Sequence, residues 1–410
     1  MLRILDINDA QELFTRKAVR LAEAERVVAP ILEDVRRRGD AALIEYARKF
    51  DGLDLKQVRV PEADLAMPLS AEFLAAIEIA AKNIRAYAEM QLPCEKWIDC
   101  GDGRRLGQVV RPLESMGAYI PAGRYPLPST LLMTVIPAQV AGVRTICVAS
   151  PNPSREILGT AKWLAVGNVF RTGGAQAIAA MAFGTESVPK VDRIVGPGNI
   201  YVAAAKKLLA GEVGIDFVAG PTEIVIIAAE GDARWIAADM LAQAEHDVEA
   251  SAILLTTSRD LAERVAAEVE RQLETLPTAS VASKAICNNS AAVLVSSLTE
   301  AVDASNRLAP EHLALHDASL LGAIQHAGSV FLGSMSTEAA GDYASGPNHV
   351  LPTSGVARIR GGLSSADFVK IISVQELTAA GLAKLGPTVT TLARAEGLEA
   401  HARSVEVRLG

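Results

Sequence analysis

The distribution of apolar residues divides the chain into an N-terminal helical region and a longer region of alternating strands and helices. Between residues 9 and 90, apolar residues recur every three or four positions, as is typical of amphipathic helices. From about Gly107 onward, short apolar runs alternate with helical stretches, and this alternation predicts doubly wound α/β domains with parallel sheets. The predicted strands are residues 144–149, 168–171, 191–195, 223–229, 252–257, 292–295, 313–315 and 329–332.

Polar side chains share the inward-facing side of one predicted helix, which follows the apolar run 223–229. Asp232 predicts the N-cap of this helix. At about 100° per residue, Asp239, Gln243 and His246 lie within roughly 60° of one another on the helix surface. Because buried polar groups need partners, two interpretations are open: a metal bound by Gln243 and His246, or hydrogen bonds inside a polar helix end.

Three loops rich in glycine or proline precede predicted helices: residues 119–130, 171–176 and 195–199, of which the last two also follow predicted strands. These two loops lie at the carboxyl ends of their strands, which is where ligands usually bind in open parallel sheets. Glycines at such a position let backbone amides approach a phosphate. None of the loops fits G-x-G-x-x-G, so nucleotide binding and simple chain reversal both remain open.

Two further polar segments follow the central helix. A proline is expected to end the helix before Glu311 and His312, which places this pair where a strand begins. An adjacent acid and imidazole can act as paired proton-transfer groups, or can be two solvated residues. The segment 342–349 is rich in turn formers and predicts an ordered loop with functional side chains. The tail from residue 358 onward predicts helices, with a bend allowed at Gly397.

Composition and charge restrict the class of protein. The chain has 410 residues, half of them apolar, which predicts two or three domains with ample cores. The net charge is −8 and no long basic stripe offsets it, which argues against a nucleic-acid partner. The chain has no apolar run of about 18 residues, which is the length that predicts a membrane span. The N-terminus lacks the pattern of a signal peptide. Four cysteines without a C-x-x-C pair suit a reducing compartment, so we expect a soluble cytoplasmic protein.

Taken together, the motifs give the chain a resemblance to the histidinol dehydrogenase family over nearly its whole length. Any one motif can occur by chance, whereas the full set in this order is specific. The motifs are Gly117-Ala-Tyr119-Ile-Pro121, Gly173-Gly-Ala-Gln176, Gly196-Pro-Gly-Asn199, Ala219-Gly-Pro-Thr222-Glu223, Gln243-Ala-Glu-His246, Ala309-Pro-Glu311-His312-Leu313, Gly341-Asp342-Tyr343, Gly346-Pro-Asn-His349-Val-Leu-Pro and Leu398-Glu-Ala-His401.

The resemblance implies an enzyme that oxidises L-histidinol to L-histidine through L-histidinaldehyde and reduces two NAD. It implies one zinc ion bound by Gln243, His246, Asp342 and His401. It implies NAD contacts from Tyr119, Gln176 and Asn199. It also implies substrate contacts from the zinc ligands and from Thr222, His312, His349 and Glu396.

The resemblance further implies two doubly wound, incomplete Rossmann-like domains with small helical appendages used in dimerisation. Residues 21–115 with 224–357 would form the domain that carries the metal and catalytic residues, and residues 116–223 the domain on the NAD side. Residues 1–20 would form an N-terminal dimerisation segment and residues 358–410 a C-terminal helical tail. In the resulting homodimer, Glu396 and His401 of one chain would enter the site of the other.

The residue types suit this chemistry. Histidinol offers imidazole and amine nitrogens, so a zinc ion would hold and orient the substrate. His312, with a pKa expected near neutrality, would take the hydroxyl proton, and Glu311 would take a proton from the water that adds to the aldehyde. A cysteine nucleophile is the competing route, but none of the cysteines belongs to a site motif.

Three other functions are weighed against this interpretation. A zinc hydrolase could use Glu311 and a metal-bound water without any nucleotide. A metal-dependent binding protein would take up a ligand without turnover. Relatives that oxidise other small diols, such as sulfopropanediol, share much of the machinery, and Thr222 stands where serine is common in the family. His349 and Glu396 are both present and favour histidinol, whereas His316 and His326 match no motif and are interpreted as structural.

Overall fold

The computed structural model describes residues 1–14, 21–121, 126–218 and 220–410. Residues 15–20 of the predicted N-terminal segment, residues 122–125 of the first glycine-containing loop, and Ala219 lie outside the described residues. The strands are β1 (Arg3–Asp6), β2 (Lys96–Asp99), β3 (Arg104–Pro112), β4 (Ser115–Tyr119), β5 (Thr145–Ser150), β6 (Asn168–Arg171), β7 (Arg193–Val195), β8 (Gly214–Ile215), β9 (Glu223–Ile227), β10 (Ser251–Thr256), β11 (Ala291–Leu294), β12 (His312–Leu315), β13 (Ser329–Leu332) and β14 (Val369–Leu377).

The α-helices of the same residues are α1 (Gln11–Phe14), α2 (Leu21–Arg38), α3 (Asp40–Asp51), α4 (Glu62–Leu65), α5 (Ala71–Gln91), α6 (Pro128–Ala141), α7 (Arg155–Trp163), α8 (Gly174–Phe183), α9 (Ile200–Leu209), α10 (Ala233–Ala244), α11 (Arg259–Leu273), α12 (Ala279–Asn289), α13 (Leu298–Leu308), α14 (Glu338–Tyr343), α15 (Ala379–Ala395) and α16 (Glu399–Leu409). Short 3₁₀ turns occupy Ala318–Ala323, Val356–Arg358 and Ser365–Phe368. Within the described ranges, none of the helices is long and apolar enough to cross a membrane.

A six-stranded parallel sheet with the order β1-β11-β10-β9-β12-β13 forms one half of the fold. Its strands are nearly all aliphatic because both faces are buried. Ile224 and Ile226 of β9 pack toward α10, α11 and α12, whereas Val225 and Ile227 pack toward α13. The predicted N-cap of α10 is confirmed, since the Asp232 side chain accepts a hydrogen bond from the amide of Arg234.

A five-stranded parallel sheet with the order β6-β5-β4-β7-β8 forms the other half. Helices α5, α6 and α7 cover one face, and α2, α3, α8 and α9 cover the other. All eight predicted strands are confirmed, and so is the parallel α/β class. The sequence grouped residues 21–115 with 224–357, but the apolar stripes of α2, α3 and α5 pack on the five-stranded sheet. The domain boundaries themselves stay a prediction.

A small antiparallel sheet, which the sequence did not predict, joins two distant parts of the chain in the order β14-β3-β2. Strand β14 pairs with β3 along nine residues, from Val369 opposite Pro112 to Leu377 opposite Arg104. The C-terminal region is helical beyond this strand, as predicted, and Gly397 (φ +75°) makes the expected bend between α15 and α16. Ile371, Ile372 and Val407 of this region have exposed side chains.

Candidate active site

The parallel pairing of β9 with β12 brings the Glu311–His312 pair beside Thr222. In this register His312 lies opposite Ile224, so the residues just before both strands meet at the amino edge of the six-stranded sheet. Helix α10 runs back along the sheet, and its last turn therefore brings Gln243 to the same edge. The site thus lies at the amino ends of these strands, whereas the predicted nucleotide loops lie at carboxyl ends of the other sheet.

Thr222 connects the predicted catalytic acid to the amide of Gln243. Its Oγ1 donates to Glu311 Oε2 at 2.5 Å, and the backbone amide of Glu223 donates to the same carboxylate oxygen at 3.0 Å. The side-chain amide of fully buried Gln243 is oriented by its partners: its nitrogen donates to the carboxylate of Glu338, and its oxygen lies 3.2 Å from the amide of Glu223 and 2.5 Å from Thr222 Oγ1, where it competes with Glu311 for the single hydroxyl proton. Two buried carboxylates are therefore joined by one amide and one hydroxyl group.

His312 is surrounded by carboxylates. Its Nδ1 lies 3.7 Å from Glu311 Oε2 and 3.6 Å from Glu338 Oε1, and its Nε2 lies 3.6 Å from Asp342 Oδ1. These separations exceed hydrogen-bond distance, so the attraction is electrostatic. Burial alone would lower the pKa of His312, but the carboxylates of Glu338, Glu311 and Asp342 outweigh it and raise the pKa to about 10. These carboxylates therefore raise the pKa of His312 above the neutral value expected from the sequence, and its role as a proton acceptor stays a prediction.

Burial also shifts the pKa values of the carboxylic acids around His312. It raises the pKa of Glu311 and that of Glu338 above their ordinary values, against the opposing charge of His312. At Asp342 burial acts in the same direction, but the neighbouring imidazole of His312 outweighs it and lowers the pKa. Three carboxylates thus share one imidazole in a region where charge is costly, which is the arrangement expected around a bound cation.

Residues His312, Glu338 and Asp342 offer ligand atoms within 4.8 Å of one another. Only Asp342 belongs to the predicted zinc set, but Gln243 contacts Glu338, and His246 is among the nearby groups that lower the pKa of Asp342. The Nε2 atom of His312 is buried without a hydrogen-bond partner and faces Asp342. The carboxylate, amide and imidazole groups of these side chains offer oxygen and nitrogen atoms, which are suitable ligands for zinc.

His349 links this cluster to the other half of the fold. Its Nδ1 donates to the backbone carbonyl of Asp342 at 2.8 Å, and its Nε2 lies 3.1 Å from the hydroxyl group of Thr130. Thr130 lies in the first turn of α6, which follows the loop after β4. Both ring nitrogens of His349 are therefore engaged within the protein, and a substrate contact would have to compete with Thr130.

The three predicted NAD contacts lie at the carboxyl edge of the five-stranded sheet. Tyr119 ends β4 and accepts a hydrogen bond at its hydroxyl group from the amide of Gly174 at 3.2 Å. Gln176 lies in the first turn of α8, where its side chain is buried. Asn199 is exposed and caps α9, since its side chain accepts from the amides of Tyr201 and Val202. The structure thus brings the three residues to one edge, although each also has a structural role.

Glu396 and His401 lie apart from the cluster within the described residues. Glu396 caps the end of α15, and His401 lies in α16. Both side chains are exposed, and the two helices pack mainly on each other. The structure of a single chain therefore brings three of the four predicted zinc ligands to one region and leaves His401 outside it.

A family profile described as histidinol dehydrogenase matches residues 14–409 of the chain. The chain belongs to the histidinol dehydrogenase family. It is 50% identical to the histidinol dehydrogenase of Geobacillus kaustophilus (strain HTA426), with 94% of each chain covered. It is 47% identical to that of Halalkalibacterium halodurans, with 100% of this chain and 99% of the relative covered. The crystal structure of histidinol dehydrogenase from Elizabethkingia anophelis superposes with a TM-score of 0.95 at 39% identity, covering 100% of this chain and 98% of that chain.

Within this histidinol dehydrogenase fold, Glu338 is the buried site residue that sequence reasoning missed. It is 3% exposed, and its side chain accepts a hydrogen bond from the amide of Gln243. Its Oε1 atom also lies 3.6 Å from His312 Nδ1. Glu338 and Asp342 are four residues apart on α14, so their side chains share one face of that helix. The segment from residue 342 had been predicted as a loop, and that prediction is wrong for Asp342 itself, which lies inside the short helix. The four-residue spacing of Glu338 and Asp342 was the sequence signal for a helix that carries both acids. The turn-forming residues after Asp342 obscured this signal.

Proposed function

We propose that this protein oxidises L-histidinol to L-histidine through L-histidinaldehyde, with zinc as its metal and NAD as the electron acceptor. The observation that carries the proposal is the buried Glu311–His312 pair beside amide, carboxylate and imidazole donors, on a chain that matches histidinol dehydrogenases along its whole length. Each of the two oxidations removes a hydride and a proton from the substrate carbon and its hydroxyl group. The site must therefore supply proton acceptors twice.

Gln243, His246 and Asp342, with the partner subunit's His401, would hold the zinc ion. When bound, zinc supplies a positive charge that holds the nitrogen donors of the substrate. The pKa of His312 would fall once the charge of Asp342 is offset, because that carboxylate is one of the groups that raise it, after Glu338 and Glu311. His312 could then accept the hydroxyl proton in the first oxidation.

Glu311 is proposed as the base of the second oxidation. Its Oε2 is held by the hydroxyl group of Thr222 and the amide of Glu223, so the other carboxylate oxygen would be the one that accepts the proton from water. Removing a proton from this water would let its oxygen add to the aldehyde carbon. None of the four cysteines lies in the described cluster, and burial raises the pKa of the Cys147 thiol to about 11. A thiolate route is correspondingly disfavoured.

We further propose a homodimer in which the C-terminal tail completes the partner's site. Two features support it: Glu396 and His401 are exposed at a distance from the other site residues, and apolar side chains of the same region, including Ile371 and Val407, face solvent. Exposed apolar surface of this kind marks sites of association. The cytoplasmic location predicted from the cysteines stays a prediction.

The experiment that tests the function is a stoichiometric assay on the full-length protein. We expect two NADH formed per histidinol consumed, loss of activity after chelation, and recovery when zinc is returned. Sulfopropanediol, assayed in parallel, should react poorly. An absence of histidinol-dependent NADH would refute the proposal, and preferential oxidation of sulfopropanediol would move the protein to another branch of the family.

A further inference from the structure

A buried ion pair lies directly behind the loop that leads from β7 into α9. Lys206 of α9 and Asp216, which follows β8, have side chains that are 4% and 0% exposed, and their charged groups are 2.7 Å apart. Neither residue belongs to a predicted motif, and neither contacts the Glu311–His312 cluster. Two charges taken from water at this depth must have a structural or functional reason.

The pair holds a single residue of the loop, Gly196, from both sides. Lys206 Nζ donates to the carbonyl oxygen of Gly196 at 2.5 Å, and Asp216 Oδ2 accepts from its amide at 2.8 Å. Asp216 Oδ1 also accepts from the amide of Phe217 at 2.7 Å, which fixes the carboxylate itself. Both peptide groups that flank the Gly196 α-carbon therefore have a set orientation.

Gly196 is also the point where this loop meets the end of β4. Its φ of +111° favours glycine, and any side chain there would collide with the backbone carbonyl of Tyr119. Residues 197–199 continue from this fixed point to Asn199, the N-cap of α9. The ion pair thus sets the position of two predicted NAD contacts, Tyr119 and Asn199, relative to each other.

Stability alone gives a poor reason for this arrangement. Replacing a buried ion pair by uncharged groups of similar volume is often neutral or stabilising, whereas removing one partner leaves an uncompensated buried charge and is costly. The ion pair differs from an apolar pair in its ability to hold one particular peptide by charge-assisted hydrogen bonds. A binding loop that is fixed before the ligand arrives loses less entropy on binding.

We propose that Lys206 and Asp216 are positioning residues for the nicotinamide cofactor, acting through the backbone of Gly196. The inference rests on the proposed NAD-linked function. It predicts that loss of the pair weakens dinucleotide binding selectively and leaves the metal and substrate half of the site unchanged.

The test compares Lys206→Met with Lys207→Met in the full-length zinc-loaded protein. Lys207 is the next residue of the same helix, but its side chain is 53% exposed and pairs with Glu25 at 2.7 Å, so it provides a matched control. NADH affinity is measured by fluorescence titration, alongside zinc content, the histidinol KM and the urea midpoint. We expect the NADH dissociation constant of Lys206→Met to rise about tenfold or more, as for a loop that is no longer preorganised. Lys207→Met should stay near wild type.

The double variant Lys206→Met with Asp216→Asn separates positioning from stability. Without an unpaired buried charge it should recover much of the urea midpoint lost by the single variant. Its NADH affinity should nevertheless stay weak, because the Gly196 peptide has lost its charged partners. If Lys206→Met does not fold, the near-isosteric Asp216→Asn and the double variant carry the same comparison.

The inference is overturned if folded variants bind NADH within about twofold of wild type, or if the histidinol KM and zinc content change as much as NADH affinity. It is also overturned if affinity and stability recover together in the double variant. A wild-type protein that neither binds NADH nor reduces NAD with histidinol would instead overturn the proposed function, so the two failures are distinguishable.

Discussion

The substitution Glu311→Gln gives the sharpest test of how the two oxidation steps divide between His312 and Glu311. Glutamine has nearly the same shape as glutamate, and its amide oxygen can still accept from Thr222 Oγ1 and from the amide of Glu223, which lie 2.5 and 3.0 Å from Glu311 Oε2. The substitution therefore removes a proton acceptor while it keeps the local hydrogen bonds. It also leaves His312 and Asp342 in place.

The expected magnitude follows from the role assigned to this carboxylate. A positioned general base contributes about 10²- to 10⁴-fold to a rate, which corresponds to roughly 3–5 kcal/mol of transition-state stabilisation. We expect a loss in that range for oxidation of the aldehyde, which needs a proton removed from water. Interconversion of alcohol and aldehyde needs no water, and its proton transfer is assigned to His312 in the proposed mechanism, so it should change only severalfold.

Both steps can be measured from the common intermediate. Histidinaldehyde with NAD reports the second oxidation, and histidinaldehyde with NADH reports the first step in reverse. Both are followed by nicotinamide absorbance in the same zinc-loaded preparation. A Glu311→Gln variant that loses equal factors in the two assays would refute the division of labour.

Glu338→Gln provides the matched comparison. Glu338 is also a buried carboxylate near His312 Nδ1, at 3.6 Å, but it contacts the Gln243 amide and has no hydrogen bond to Thr222. Glu338 contacts Gln243, a predicted metal ligand, and the proposed metal would hold the substrate in both steps, so this variant should slow the two reactions by similar factors. A selective loss of aldehyde oxidation in Glu338→Gln would assign the water-activating role to the wrong acid.

Three further predictions follow from the same structure. Mixing inactive His401→Ala chains with inactive His246→Ala chains should restore part of the activity, since a mixed dimer holds one intact site; no recovery after verified subunit exchange would contradict the shared interface. Replacing all four cysteines by serine should preserve turnover in protein that remains folded, and loss of turnover would revive the thiolate route. Asp232→Ala should lower the free energy of unfolding by about 1 kcal/mol in urea titrations because α10 loses its N-cap, whereas Asp232→Asn should cost less; equal losses would show that the cap is unimportant.

Local patterns in the sequence predicted eight of the eleven described strands of the two parallel sheets and missed the short strands β1, β4 and β8. Strands such as β9 and β10 are uninterrupted aliphatic runs because both of their faces are buried, and this requirement is visible in a few neighbouring residues. The N-cap of α10 was equally local, since Asp232 accepts a hydrogen bond from an amide two residues away. The motif order was sufficient for the family.

Pairings between distant segments were decided only by the tertiary structure. Strands β3 and β14 lie more than 250 residues apart in the chain, and neither carries an apolar pattern that identifies its partner. The amphipathic helices α2, α3 and α5 expose stripes that could pack on either sheet, and the structure places them on the five-stranded one.

The electrostatics of the site also depended on the fold. Glu311 and His312 are adjacent in sequence, whereas Glu338 and Asp342 lie on α14. The charges of these carboxylates together raise the pKa of His312 well above the expected value. A pKa depends on all charges within several ångströms, whereas sequence reasoning sees only neighbours along the chain. The sequence by itself thus determined the residue types and the order of the elements, and the folded chain determined which charges meet.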